Sequence, residues 1–232
     1  MIEVDWKLGA PALRVGILEA TGVTVGPASD RLAQTLDEEI ARRRQAGPLP
    51  AELRQEIRDL LRHGGFRPTG RSKPASEYLA NAAQEGQFPR INNLVDINNL
   101  LSLRTGWPMS LLDLDRILGD APSARLELRL GRAGESYVFN PAGQAIELAG
   151  LLLLAGPRGA AGNPVKDALE AKITAATRRV LGVIYTSRRL ASADQLAQVA
   201  GDFAALLQRE GGARQVEVRL LAEEAARVDA VS

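Results

Sequence analysis

Apolar residues alternate with polar or charged ones at Ile2, Val4 and Trp6, and a period of two predicts a strand there. Residues 13–25 are rich in aliphatic and β-branched side chains and are broken by glycine, which predicts a second strand with a turn or bulge. The period then lengthens. Leu32, Leu36 and Ile40 recur every four residues behind Asp30, a candidate N-cap, so a helix is expected over 30–45. Gly47-Pro48-Leu49-Pro50 stops it. Leu53, Ile57, Leu60 and Leu61 mark another helix over about 51–63, closed by His63-Gly64-Gly65. Residues 66–76 read as a loop, and Pro74 sits just inside a short helix running to about Gln84, with Ser72 as candidate cap.

Beyond residue 125 the period returns to two. Leu126, Leu128 and Leu130 alternate with charged residues, and strands are expected at 137–139, 146–154 and 180–185, separated by Gly131, Gly134, Pro141-Ala142-Gly143 and Gly150. Leu196, Val199, Phe203, Leu206 and Leu207 predict a helix over 194–209, ended by Gly211-Gly212, and Val216, Val218 and Leu220 a last strand. Helices and strands intersperse without a βαβ rhythm. The expected fold is therefore α+β, a mixed or antiparallel sheet with flanking helices, folded as one compact domain over 1–232. The break at Gly47 to Pro50 separates two helices of that domain.

Composition narrows the chemistry. Lys+Arg number 29 and Asp+Glu 28 in 232 residues, so a uniformly basic coat is excluded while a local basic face is not. The chain has no cysteine and one histidine, His63. Disulfides, Cys-ligated zinc, cysteine nucleophiles and two-histidine metal sites are excluded, and neither metal nor cofactor is expected. His63 itself reads as a helix C-cap. The N-terminus lacks a secretion signal, and the longest aliphatic run, 151–155, falls far short of the roughly 20 residues of a membrane span. The chain is expected to be cytoplasmic, with no membrane partner.

Basic residues concentrate in one segment, where Arg42, Arg43, Arg44, Arg54, Arg58, Arg62 and Arg67, followed by Arg71 and Lys73, outnumber Glu52, Glu56 and Asp59. A second basic segment covers 166–189. Both are candidate phosphate-facing surfaces, or else solvated helix faces. The segment 87–99 places Asn92, Asn93, Asp96, Asn98 and Asn99 among Ile, Leu and Val. Buried amides and carboxylates need partners, so the cluster reads as a polar network at a pocket, or as a fastened turn with Asp96 capping a helix. Other candidates carry less. Ser72-Lys73 lacks the context of a Ser/Lys hydrolase, the glycine-rich stretch 156–162 lacks a phosphate loop's Gly-Lys-Ser/Thr ending, and Asp113 and Asp115 fall on opposite faces of a strand. Two tryptophans and four phenylalanines leave few anchors for base stacking.

The string Pro89-Arg90-Ile91-Asn92-Asn93-Leu94-Val95-Asp96-Ile97-Asn98-Asn99, then Gly106-Trp107-Pro108-Met109, then Leu112-Asp113-Leu114-Asp115-Arg116-Ile117, resembles the B3/B4 domain of the phenylalanyl-tRNA synthetase β chain. The resemblance covers roughly 65–190, with its core at 89–117. It implies a free-standing B3/B4 protein. In the synthetase this domain hydrolyses tyrosine wrongly attached to the phenylalanine tRNA. Two departures stand out. Ser110 replaces the histidine that follows Pro-Met in the synthetase, and Gly182-Val183-Ile184 stands where an acidic residue reads the tyrosine hydroxyl. A pocket without that carboxylate should not prefer tyrosine.

The resemblance implies a stand-alone trans-editing aminoacyl-tRNA deacylase, independent of metal. Its substrate pocket would comprise Asn92, Asn93, Asp96, Asn98 and Ser110, with Arg71 and Lys73 near the mouth. The basic residues 42–67 would meet RNA, and the partner would be the aminoacylated 3′ end of a tRNA. The alternative is a non-catalytic module that binds an amino acid, a tRNA or a synthetase. With so few aromatics, tRNA would be gripped mainly by backbone and pocket.

Overall fold

The fold is that of a computed structural model, which describes residues 2–10, 12–121 and 125–222. In chain order its elements are β1 (Glu3–Lys7), β2 (Leu13–Thr21), α1 (Asp30–Ala46), α2 (Ala51–Arg62), α3 (Ala75–Glu85), α4 (Asn93–Thr105), β3 (Met109–Asp113), α5 (Leu114–Leu118) and β4 (Arg125–Leu130). There follow β5 (Ser136–Val138), β6 (Ala145–Glu147), β7 (Leu152–Gly156), β8 (Gly159–Gly162), β9 (Arg179–Ser187), α6 (Ala193–Arg209) and β10 (Gln215–Ala222).

The alternation in β2 dictates the layering. Leu13, Val15 and Ile17 point to one face of the strand, and Leu18 and Ala20 to the other; all are buried. A strand buried on both faces must lie between two layers. β2 is accordingly central in an antiparallel sheet ordered β10-β2-β9-β3, with Ile17 opposite Val183. On one side α1, α4 and α6 supply Leu32, Leu36, Leu94, Leu101 and Phe203. On the other a second sheet, ordered β1-β4-β7-β8, contributes Leu126, Leu128, Leu152 and Leu154. In that sheet β1 runs parallel to β4 and the remaining pairs are antiparallel. Its outer face carries a smaller cluster, with Leu61, Ile146, Leu148, Leu153 and Val165 beneath the β5–β6 hairpin. The arrangement is α+β with mixed and antiparallel sheets, as the element pattern predicts.

Local details differ from the expectations. Ser29, not Asp30, caps α1, because its hydroxyl reaches the Leu32 amide at 3.1 Å. Ser72 ends a short 3₁₀ turn (Gly70–Ser72) and caps nothing; Pro74 occupies the N-cap position of α3. Asp96 does not cap α4. Asp113 turns out of its strand to cap α5, accepting from the Arg116 amide at 3.0 Å. The glycine-rich stretch 156–162 forms the turn and second strand of the β7–β8 hairpin. No described helix is long and apolar enough to cross a membrane.

Candidate functional site

Helix α4 begins at Asn92, whose side-chain oxygen accepts from the Val95 amide at 3.0 Å and so satisfies one of the orphan donors of the first turn. Asn93 faces away from solvent. It accepts from the Gly26 amide at 3.0 Å and donates to the Thr24 and Glu210 carbonyls at 2.9 Å each, which fixes the start of α4 to the loop after β2 and the end of α6. Asp96 is buried and accepts from the Ile91 amide at 3.0 Å; burial pushes its carboxyl above the ordinary range. Asn92, Asn93 and Asp96 thus organise the helix start.

Val95 in the same turn, with Asn98 and Asn99 further along the helix, faces a cavity of about 370 Å³. Gly106, with φ +73°, closes α4 in the left-handed conformation that glycine adopts without penalty. The chain then turns into β3, which presents Met109 and Leu111 to the same cavity. Leu79, Ile91 and Ile173 complete an aliphatic wall. The polar groups facing it are few. The Asn98 amide bonds its neighbour Asn99 at 3.3 Å, and the Asn98 Oδ1 is buried with no partner.

A second cavity of about 500 Å³ adjoins the first and shares Ala75, Tyr78, Asp167 and Lys172 with it. Its further lining includes Arg71, Lys73, Asn81, Phe139 and Lys166. One chamber is aliphatic and the other cationic, and Asp167 belongs to both. Lys166 lies 3.9 Å from the centre of the Phe139 ring, and burial and the charge of Arg71 both pull its pKa down.

Asp167 is held by one oxygen. Its Oδ1 accepts from the Ser110 hydroxyl at 2.7 Å and from the Asn163 amide at 3.3 Å. Burial pushes the carboxyl up to about 6, against the lowering effect of these bonds. The loop that carries it is built around Asn163, whose side-chain oxygen accepts from the Val165 and Lys166 amides at 2.8 and 2.9 Å. The Asn163 side-chain Nδ2 donates to the Tyr137 hydroxyl, which itself donates to the Lys166 carbonyl at 2.5 Å. Ser110, wholly buried on the inter-sheet face of β3, is a support for Asp167 and no part of the cavity wall. The buried Tyr185 hydroxyl is kept neutral by desolvation and by the Asp167 charge.

The structure therefore gathers Asn98, Arg71 and Lys73 around the two chambers, with Ser110 behind them, and leaves Asn92, Asn93 and Asp96 outside. The arginines of the basic segment are largely engaged. Arg58 makes a two-point ion pair with Glu77 at 2.7 and 2.6 Å, joining α2 to α3. Arg44 donates to the Ala83 carbonyl at 2.7 Å, and Arg43 is buried. Arg42 pairs with Glu39 and Arg62 with Asp59 on their own helices, Arg54 is half-buried, and Arg67 is exposed. Asp167 and Tyr78 escape sequence reasoning, whereas Lys166 and Lys172 fall in the second basic segment, 166–189, which the sequence marks as a candidate phosphate-facing surface. The one local signal is an acid between two lysines just after Asn163-Pro164, a turn-forming pair.

A family model described as B3/4 domain matches residues 68–205, a span that contains every residue named above as lining the chambers. Among solved structures, the fold is similar to an N-terminal fragment of the phenylalanyl-tRNA synthetase β-subunit from Pyrococcus horikoshii, with a TM-score of 0.44 and 12% identity. The match covers 93% of this chain and 50% of that one, so the chain spans half the length of the fragment. No curated protein matches the sequence.

Proposed function

The chain belongs to the B3/4 domain family, and from that premise we propose that it hydrolyses an aminoacyl-tRNA ester in trans. The observation that carries the reading is the meeting of an aliphatic and a cationic chamber at one half-buried carboxylate, Asp167. An aminoacylated RNA end has this same division, with a side chain on one side of the ester and phosphates on the other. The aliphatic chamber takes the side chain. Arg71, Lys73, Lys166 and Lys172 face the phosphates, and the unpartnered Asn98 Oδ1 accepts from the α-ammonium group.

Chemistry then requires a water at the ester carbonyl. Asp167 holds that water through Oδ2, since its other oxygen is committed to Ser110 and Asn163. As the water oxygen attacks, its proton passes to Asp167. The tetrahedral intermediate collapses, and Asp167 returns the proton to the departing ribose oxygen. The products are the free amino acid and the uncharged RNA end. A carboxylate near 6 is well matched to this work at neutral pH. Cleft walls of aliphatic side chains suit an amino acid without a side-chain hydroxyl.

The test is deacylation of a panel of correctly and wrongly charged tRNAs, with D- and non-protein amino acids included. The expected result is hydrolysis of a small subset, with the rate rising as pH passes through about 6 and falling at least ~100-fold in Asp167→Asn. Turnover that Asp167→Asn leaves intact rejects the base. No turnover across the panel rejects the deacylase and favours a binding module, to be pursued by ligand-induced thermal stabilisation.

A further inference from the structure

The largest apolar side chains left exposed among the described residues are Tyr78, Ile91, Val138 and Val218, and the two most exposed, Tyr78 at 62% and Ile91 at 63%, both line the mouth of the aliphatic chamber. Tyr78 also lines the cationic chamber. Its neighbours Glu77 and Leu79 are buried, so the ring is the part of this helical turn that meets solvent. The helix beneath it is fixed at both sides. The Ala75 amide donates to the Pro164 carbonyl at 2.9 Å, and Glu77 is locked to Arg58. A rigidly mounted aromatic face beside Arg71, Lys73, Lys166 and Lys172 has the two features by which proteins hold single-stranded nucleic acid: a stacking surface and a cationic groove. The cations are crowded, and crowding of like charge is relieved by an anion.

We propose that Tyr78 is a stacking platform for the terminal nucleobase of an RNA strand, with Ile91 at its flank and the cationic chamber holding that nucleotide's phosphate. The larger face of a purine makes it the preferred base. This deepens the aminoacyl-tRNA reading, because it names how the RNA end is positioned, but nucleotide binding can be measured without any turnover. Aromatic residues are few in this chain, yet one of them stands at the cleft mouth.

The experiment measures the affinity of the full chain for a short single-stranded RNA ending in adenosine and for the same strand ending in an abasic ribose. The wild type should bind the adenosine end more tightly by about ten-fold, Tyr78→Phe should keep that preference, and Tyr78→Ala should lose it. Equal affinity for the two strands, or an Ala variant that discriminates as well as wild type, overturns the platform. Because Tyr78 is exposed, the Ala variant keeps its fold, which its melting temperature checks. The outcomes separate the two readings. Discrimination lost in Tyr78→Ala without deacylation by wild type sustains the platform and rejects the deacylase. Deacylation with an unchanged KM in Tyr78→Ala sustains the deacylase and rejects the platform.

Discussion

Asp96 and Asp167 are both carboxyls whose pKa burial raises. Their surroundings separate them. Asp96 sits in the first turn of α4, accepts from the Ile91 amide and feels the Arg90 charge; it helps to lock the segment that leads into the helix. Asp167 sits on an irregular loop, is gripped through one oxygen by a serine from another element, and opens onto two cavities. Burial alone therefore does not identify a working acid. Asp96 too has one bonded oxygen and lines a cavity, beside Asp37 and Arg90; what sets Asp167 apart is its place where an aliphatic and a cationic chamber meet.

Three variants test this division. The largest effect is expected at the structural end. Asn93→Ala removes three hydrogen bonds from a buried side chain to backbone and should cost about 3–4 kcal/mol in denaturant unfolding, while ligand affinity of the folded fraction is unchanged. A loss below about 1 kcal/mol would dissolve the division between fastening and functional ends of α4. Next comes the stability of Asp167→Asn. Burial lifts the folded-state pKa above the unfolded value near 4, so the folded protein holds this proton more tightly. Stability linked to the group is greatest below about pH 4 and is lost as pH rises to about 6. The amide variant avoids that loss. It should match wild type at pH 4 and exceed it by about 2–3 kcal/mol above pH 7, read from melts across pH. An equal gap at both pH values would mean the carboxyl is not raised. The smallest effect is Ser110→Ala. The lost bond had favoured the charged form, so the acidic limb of the activity profile should move up by about half a pH unit with the maximal rate little changed. A downward move would sink the support role.

Much of the fold is legible because its periods are clean. Leu32, Leu36 and Ile40 repeat every four residues, and Leu126 and Leu128 every two, and each set lands in a core. Caps were less legible, since Ser29 and Asp30 are both competent and only the backbone path chooses between them. The site divides in the same way. Asn98 lies in the dense asparagine segment, and Arg71 and Lys73 lie near it across α3, so local reading reaches them. Asp167 is 57 residues from Ser110, and their pairing is made by the packing of two sheets. No local pattern encodes a contact of that range. Within the asparagine cluster, Asn92 and Asn93 carry the same functional group as Asn98, but the helical turn points them at backbone.

The Tyr137 hydroxyl joins the β5–β6 hairpin to the loop that carries Asp167, and Val165 from that loop packs into the hairpin's own apolar cluster. In terms of cooperative unfolding, the hairpin and the acid belong to one unit. Opening the hairpin removes the Tyr137 anchor and leaves the loop to Ser110 and the Ala75–Pro164 bond, whereas fraying at β10 on the far edge of the other sheet does not reach it. The order of the loop at Asp167 is therefore coupled to that of a two-stranded satellite, and a change in the turn at Asn140 is expected to reach it.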